Sequence, residues 1–126
     1  MEPIIVITTT AGNREVLEKM GRHLLAERLV ACIQVVGPIK SLYWWRGNIE
    51  EADEWLGIMK SRKSLYTQVE TAIRSLHPYE VPEIVAVELS GVLPAYDNWV
   101  RNETGADCET GQKTGQKKGH KTGRKT

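Results

Sequence analysis

The N-terminal third of the chain carries a strand–helix–strand pattern, which limits it to folds in which helices pack on a β-sheet. Residues 4–9 are rich in β-branched side chains, which favour a strand. Asn13, a preferred helix N-cap residue, then precedes four turns of apolar side chains at helical spacing. Residues 30–36 form a second apolar run, which Gly37-Pro38 closes. This order predicts a right-handed βαβ unit with parallel pairing of its two strands.

The fold class depends on one ambiguous segment, residues 49–60. Its Glu and Ala residues favour a helix, whereas its apolar residues also alternate as they would across a strand. Residues 39–45 before it are extended and rich in aromatic side chains, and Arg46-Gly47-Asn48 is a turn signal. A strand at 49–60 would therefore close a β-hairpin.

The remaining elements follow from periodicity and breakers. Ser64 is the expected N-cap of an amphipathic helix that ends at His77-Pro78. A strand over 84–89 and a short helix over 94–100 complete the pattern. With a strand at 49–60, the order is β-α-β-β-α-β plus a C-terminal helix, which is the ferredoxin-like split βαβ arrangement of the α+β class.

Charge is distributed unevenly along the 126 residues, although 17 Lys+Arg nearly balance 16 Asp+Glu. From Thr110 onward there are six basic residues, no acidic residue and no apolar side chain. A segment with nothing to bury cannot offset the entropy of ordering. The sequence therefore predicts one domain over 1–101 and a disordered basic Gly/Lys/Thr tail over 102–126. We expect no nucleic-acid binding except electrostatic attachment through this tail, which lacks aromatic side chains for stacking.

Cellular location is predicted from what the sequence lacks. No apolar run approaches the ~20 residues that a membrane span needs. The first eight residues have neither the basic region nor the cleavage site of a signal peptide. Two cysteines, Cys32 and Cys108, cannot form a disulfide framework. We therefore expect a cytoplasmic protein with no membrane partner.

Three motifs identify a family. They are Leu29-Val30-Ala31-Cys32, Tyr43-Trp44-Trp45-Arg46-Gly47-Asn48-Ile49 and His77-Pro78-Tyr79-Glu80-Val81-Pro82-Glu83. With these motifs in this order, the chain resembles the CutA divalent-cation tolerance family from about residue 4 to 101. The resemblance implies ferredoxin-like subunits in a tight homotrimer, with a long hairpin of 39–46 and 49–62 reaching a neighbouring subunit. Residues 49–60 are therefore assigned to a strand.

The hairpin is also the expected oligomer interface. It carries Trp44, Trp45 and Trp55. Large apolar side chains exposed on a hairpin make a poor monomer surface and a good interface.

A metal, copper in particular, is the cofactor that the resemblance implies. Cys32 offers a thiolate, His77 an imidazole and Glu80 a carboxylate, and thiolate with imidazole suits copper or zinc. The alternatives are that Cys32 is a small buried strand residue and that His77 is a cation at a helix C-terminus. Some bacterial members of the family are thought to bind copper through a cysteine at the end of the first strand and histidines around the His-Pro-Tyr motif. Here Thr8 and Leu76 stand at two of those positions, and His77 alone is retained.

The same resemblance supports a second hypothesis, a PII-like trimeric signalling or scaffold protein. Such a trimer would hold a small ligand in a cleft between subunits, near Trp45, Arg46, His77, Tyr79 and Glu80. Packing of these aromatic residues in the interface is the alternative. No nucleophile accompanies His77 and Glu80, and phosphate-loop and dinucleotide motifs are absent from the sequence, so we expect no enzymatic activity.

Overall fold

The computed structural model describes residues 2–105, which form a mixed α+β domain with four strands and three α-helices. The strands are β1 (Ile4–Ala11), β2 (Cys32–Trp45), β3 (Asn48–Arg62) and β4 (Ile84–Glu88). The helices are α1 (Arg14–Ala26), α2 (Tyr66–Leu76) and α3 (Pro94–Glu103). This order of elements, including the strand assigned to 49–60, was predicted. No helix within the described range is long and apolar enough to cross a membrane.

The sheet has the order β2-β3-β1-β4, and every neighbouring pair is antiparallel. Met59 of β3 therefore lies between Ile7 of β1 and Ile33 of β2. The parallel pairing expected for β1 and β2 is wrong, because β3 folds back along β2 and occupies the place beside β1.

One face of the sheet, the helix side, holds the main core. Ile5, Ile7 and Ala11 of β1 are buried there against α1 and α2. The remaining buried members of this cluster are Leu17, Met20, Leu24, Val30, Met59, Leu65, Val69 and Ile73. Asn13 caps α1 as predicted, since its Oδ1 accepts a hydrogen bond from the Val16 amide at 2.9 Å.

The opposite face, which we call the open face, is covered by a helix at one end. There Val100 of α3 packs on Ile4 and Ala31. Farther along, Val85 and Val87 of β4 pair with Thr8 and Val6 of β1, and both valines are exposed. Strand periodicity places this exposed apolar surface on the side away from the main core.

Ion pairs and hydrogen bonds hold Glu2 and Thr104 to the end of β3 and the residues after it. Glu2 accepts hydrogen bonds from the backbone amide and hydroxyl of Ser64, at 2.6 and 3.0 Å, and lies 3.6 Å from Arg62 Nη1. Arg62 also donates to the Thr104 hydroxyl at 3.1 Å and to its carbonyl at 2.8 Å. The Gly105 amide donates to the Arg28 carbonyl at 2.9 Å.

These contacts revise two sequence predictions. Ser64 lies in a 3-10 turn over Lys63–Leu65 and binds Glu2, so it is not the N-cap of α2, which is Leu65. The C-terminal boundary also shifts. Helix α3 runs to Glu103, and Thr104 is fully buried, past the boundary expected at residue 101. The rest of the predicted tail, 106–126, lies outside the described residues.

Candidate functional site

The β2–β3 hairpin extends well past the end of β1. Ala11, the last residue of β1, pairs with Trp55, whereas β2 and β3 continue to pair as far as Trp45 and Asn48. At ~3.3 Å per residue, this overhang is roughly 20 Å long. Its two-residue turn places Arg46 at φ 50° and Gly47 at φ 85°, the combination that a type I′ turn requires.

The overhang carries an exposed apolar cluster. Trp44 pairs directly with Ile49, and Leu42 lies two residues from Trp44 on the same side. All three side chains are more than 60% exposed. We call Leu42, Trp44 and Ile49 the hairpin patch.

The segment His77–Glu80, after α2, reaches from the end of β1 to the hairpin. His77 ends α2, as predicted, and its side chain is buried. Its Nε2 lies 2.7 Å from the Thr10 carbonyl, and its Nδ1 accepts from the Tyr79 amide at 3.1 Å. Because a carbonyl accepts and an amide donates, this pattern assigns a neutral imidazole with its proton on Nε2. His77 is therefore not an exposed cation at a helix end.

Tyr79 continues the same chain of contacts to β3. Its hydroxyl donates to Glu54 Oε2 at 2.7 Å, and Glu54 is 5% exposed. Burial, the hydrogen bond to Glu54 and the Glu54 charge all raise the pKa of the Tyr79 phenol. Tyr79 therefore keeps its proton at neutral pH and acts as a hydrogen-bond donor to a buried carboxylate.

Glu80 makes the last contact, with the turn of the hairpin. Arg46 Nη2 lies 2.8 Å from Glu80 Oε1, and both side chains are about two-thirds exposed. The Arg46 guanidinium also lies over the Trp45 ring, 5.0 Å from its centroid. An exposed ion pair of this kind contributes little to stability, typically below ~1 kcal/mol.

Trp55 has a different environment from the other hairpin tryptophans. It is half-buried and packs against the main core. The Arg14 guanidinium lies 5.6 Å from the centroid of its ring. A Cβ added at Gly37 would lie 2.8 Å from the ring, so β2 passes close beside it. Within one subunit Trp55 therefore packs on its own core, and its interface role stays a prediction.

The three predicted metal ligands do not meet. Cys32 is level with Val6 in the sheet, four residues along β1 from the Thr10 carbonyl that binds His77. That offset is roughly 13 Å, several times a metal–ligand bond. Cys32 Sγ lies instead 3.6 Å from the Tyr96 hydroxyl.

The donor chemistry leads to the same result. Both ring nitrogens of His77 are engaged by the backbone, and Glu80 is paired with Arg46. No group of three His, Cys, Asp or Glu side chains among residues 2–105 is arranged to hold a metal ion. Within residues 2–105, Cys32, His77 and Glu80 therefore do not fit a chelated copper ion.

Sequence reasoning identified Trp44 but missed Glu54 and the other two members of the hairpin patch, Leu42 and Ile49. Glu54 carries no local signal, because its partner Tyr79 lies 25 residues away. The hairpin patch did carry a signal, since Leu42 and Trp44 are apolar at a spacing of two on a strand.

Comparison with known proteins places the whole domain in a known group. A model of the family described as CutA1 divalent ion tolerance protein matches residues 5–103. The divalent-cation tolerance protein CutA of Thermotoga maritima is 38% identical over 98 residues, which cover 78% of this chain and 96% of that protein.

A rice protein provides both a sequence and a structural match. The chloroplastic protein CutA 1 of Oryza sativa is 34% identical over 102 residues, 81% of this chain. The chain spans 58% of the length of that relative. The crystal structure of CutA1 from Oryza sativa superposes with a TM-score of 0.80 at 34% identity, covering 82% of this chain and 95% of that one.

Proposed function

The chain belongs to the CutA1 divalent ion tolerance protein family, and from that membership we propose that it acts in divalent-cation tolerance as a non-enzymatic homotrimer of ferredoxin-like subunits. The observation that carries the proposal is a pair of separate apolar surfaces on one subunit. One is the hairpin patch, and the other is the open face around Val85 and Val87.

The presence of two different apolar surfaces on one subunit favours a ring-shaped oligomer. Exposed apolar patches of this kind mark interaction sites in proteins that assemble. A two-fold dimer joins the same surface on both subunits, whereas contact between two different surfaces closes a ring if the rotation permits. The hairpin overhang, roughly 20 Å long, can reach past its own subunit to the open face of the next.

Direct copper binding is a more specific hypothesis than a role in cation tolerance, and the geometry argues against the predicted set of copper ligands. Cys32, His77 and Glu80 are apart and engaged with other groups within a subunit. We therefore propose that cation tolerance depends on the assembled trimer and not on a chelate of these three residues.

The second candidate function is a PII-like signalling or scaffold role. It is favoured by the cluster of Trp45, Arg46 and Glu80, which combines an aromatic ring, a guanidinium and a carboxylate at the hairpin turn. If the hairpin docks on the next subunit, this cluster borders the cleft between them and can bind a small polar ligand. Cytoplasmic location stays a prediction.

Native mass spectrometry of the full chain, with and without cupric ion, tests these proposals together. We expect a trimer in both samples. A variant that combines Cys32→Ser, His77→Gln and Glu80→Gln should bind as much copper as wild type. A monomer would refute the assembly. One copper per wild-type subunit that disappears in the triple variant would refute the argument against the chelate. A co-purifying small molecule would favour the PII-like role.

A further inference from the structure

We infer that His77–Glu80 is a brace that fixes the direction of the hairpin, and that His77 is a positioning residue of this brace rather than a metal ligand. The inference rests on the proposed function in one respect: the direction of the hairpin is important for function only because the hairpin contacts another subunit. The brace itself lies within a single subunit.

The brace is continuous from β1 to β3. At its first point the His77 imidazole binds the Thr10 carbonyl, near the end of β1. At its second point Nδ1 of the same ring accepts a hydrogen bond from the Tyr79 amide, which fixes the position of the Tyr79 backbone. The rings of His77 and Tyr79 are also in contact, with centroids 4.6 Å apart.

Tyr79 is the member that holds the hairpin. Its hydroxyl binds Glu54, one residue beyond Trp55, where β3 leaves β1 and the overhang begins. A hinge of the overhang would form at this point, because from Glu54 to the turn β3 pairs with β2 and no longer with β1. Removing the phenol hydroxyl would leave the buried Glu54 carboxylate without this donor, and a hydrogen bond to a charged group is among the stronger ones.

Metal binding at His77 would oppose this role. A metal on Nδ1 would displace the Tyr79 amide, and one on Nε2 would displace the Thr10 carbonyl. Each case breaks one of the two contacts that orient Tyr79.

Amide hydrogen exchange in the full chain tests the brace, with Tyr79→Phe as the main variant. We expect about tenfold faster exchange across residues 39–54 than in wild type, with α1 unchanged. Tyr66→Phe is the matched control, because the Tyr66 hydroxyl also binds a glutamate, Glu70, at 3.2 Å within α2. It should leave hairpin exchange unchanged.

Two further variants separate the brace from simple destabilisation. Glu54→Gln keeps an acceptor for the Tyr79 hydroxyl. Amide exchange across the hairpin in this variant should therefore stay within about threefold of wild type. Unchanged hairpin exchange in Tyr79→Phe, or an equal rise in all elements, would overturn the brace. A tenfold loss of cupric-ion affinity in His77→Gln would overturn the assignment of His77.

These outcomes are distinct from failure of the proposed assembly. A monomeric wild-type protein would remove the trimer but leave the Tyr79→Phe comparison intact, because both partners of that hydrogen bond belong to the same subunit.

Discussion

Trp44→Ala should weaken assembly strongly while leaving the subunit folded. Trp44 is 71% exposed in the isolated subunit. A tryptophan that becomes fully buried removes roughly 200 Å² from water, of which about 140 Å² remains to be buried here. At ~25 cal/mol per Å², this area corresponds to about 3.5 kcal/mol per interface.

Part of that gain is offset on association. Ordering of side chains at an interface costs ~0.5–1.5 kcal/mol for each one, and alanine still buries its methyl group. We therefore expect a loss of about 2 kcal/mol per interface, which is roughly a 30-fold weaker contact. Folding of the subunit itself should change by less than ~0.5 kcal/mol, because the side chain is at the surface.

Sedimentation velocity over a range of protein concentrations measures this loss. The variant should dissociate at concentrations at which the proposed wild-type trimer persists. Leu25→Ala is the control, since Leu25 lies on α1, away from the hairpin and the open face, and is 38% exposed. Identical concentration profiles for Trp44→Ala and wild type would refute the assignment of the hairpin patch to an interface.

Two predictions concern stability. Burial raises the pKa of Glu2, but the Ser64 hydrogen bonds and the charges of Arg62 and Arg101 outweigh it and lower the net pKa below the ordinary value of 4.5. The carboxylate therefore stabilises the fold above that value, and the stabilisation is lost as pH falls through the lower folded pKa. Glu2→Gln should thus lower the melting temperature at pH 7 and converge with wild type in strong acid; an equal deficit at both pH values would contradict this sign. Gly21→Ala should destabilise by about 1–3 kcal/mol in urea unfolding, because its Cβ would lie 2.6 Å from Ile33 Cγ2, and this outweighs a helix-propensity gain of at most ~1 kcal/mol. A raised urea midpoint in Gly21→Ala would contradict this expectation, because it would show that Ile33 and β2 shift to accommodate the added methyl group.

Local patterns were sufficient for most of the fold. The cap at Asn13 and the end of α2 before Pro78 were predicted because each depends on residues within one turn. Residues 49–60 could not be assigned in this way. Their propensity favours a helix, and only the turn signal beside them pointed to β2 as a partner. Pairing with β1, which joins residues more than 40 positions apart, also stabilises β3 and is not visible in a local window.

The candidate site was harder to predict because its contacts join distant parts of the chain. His77 binds a carbonyl 67 residues away, and Cys32 contacts Tyr96, 64 residues away. Residue chemistry indicated that His77 and Cys32 could bind a metal. It did not indicate that the backbone and a phenol already hold them.

The contacts of Arg62 with Glu2 and Thr104 also determine where an attached group would sit. Glu2 and Thr104 meet at the end of β3 that is opposite the hairpin turn. Asn48, which follows the turn at Arg46-Gly47, lies 14 residues along β3 from Arg62, roughly 45 Å away. A dye or surface tether placed at the Arg62 end of β3 would keep the hairpin accessible, so immobilised subunits could be used to measure how one copy recruits the next.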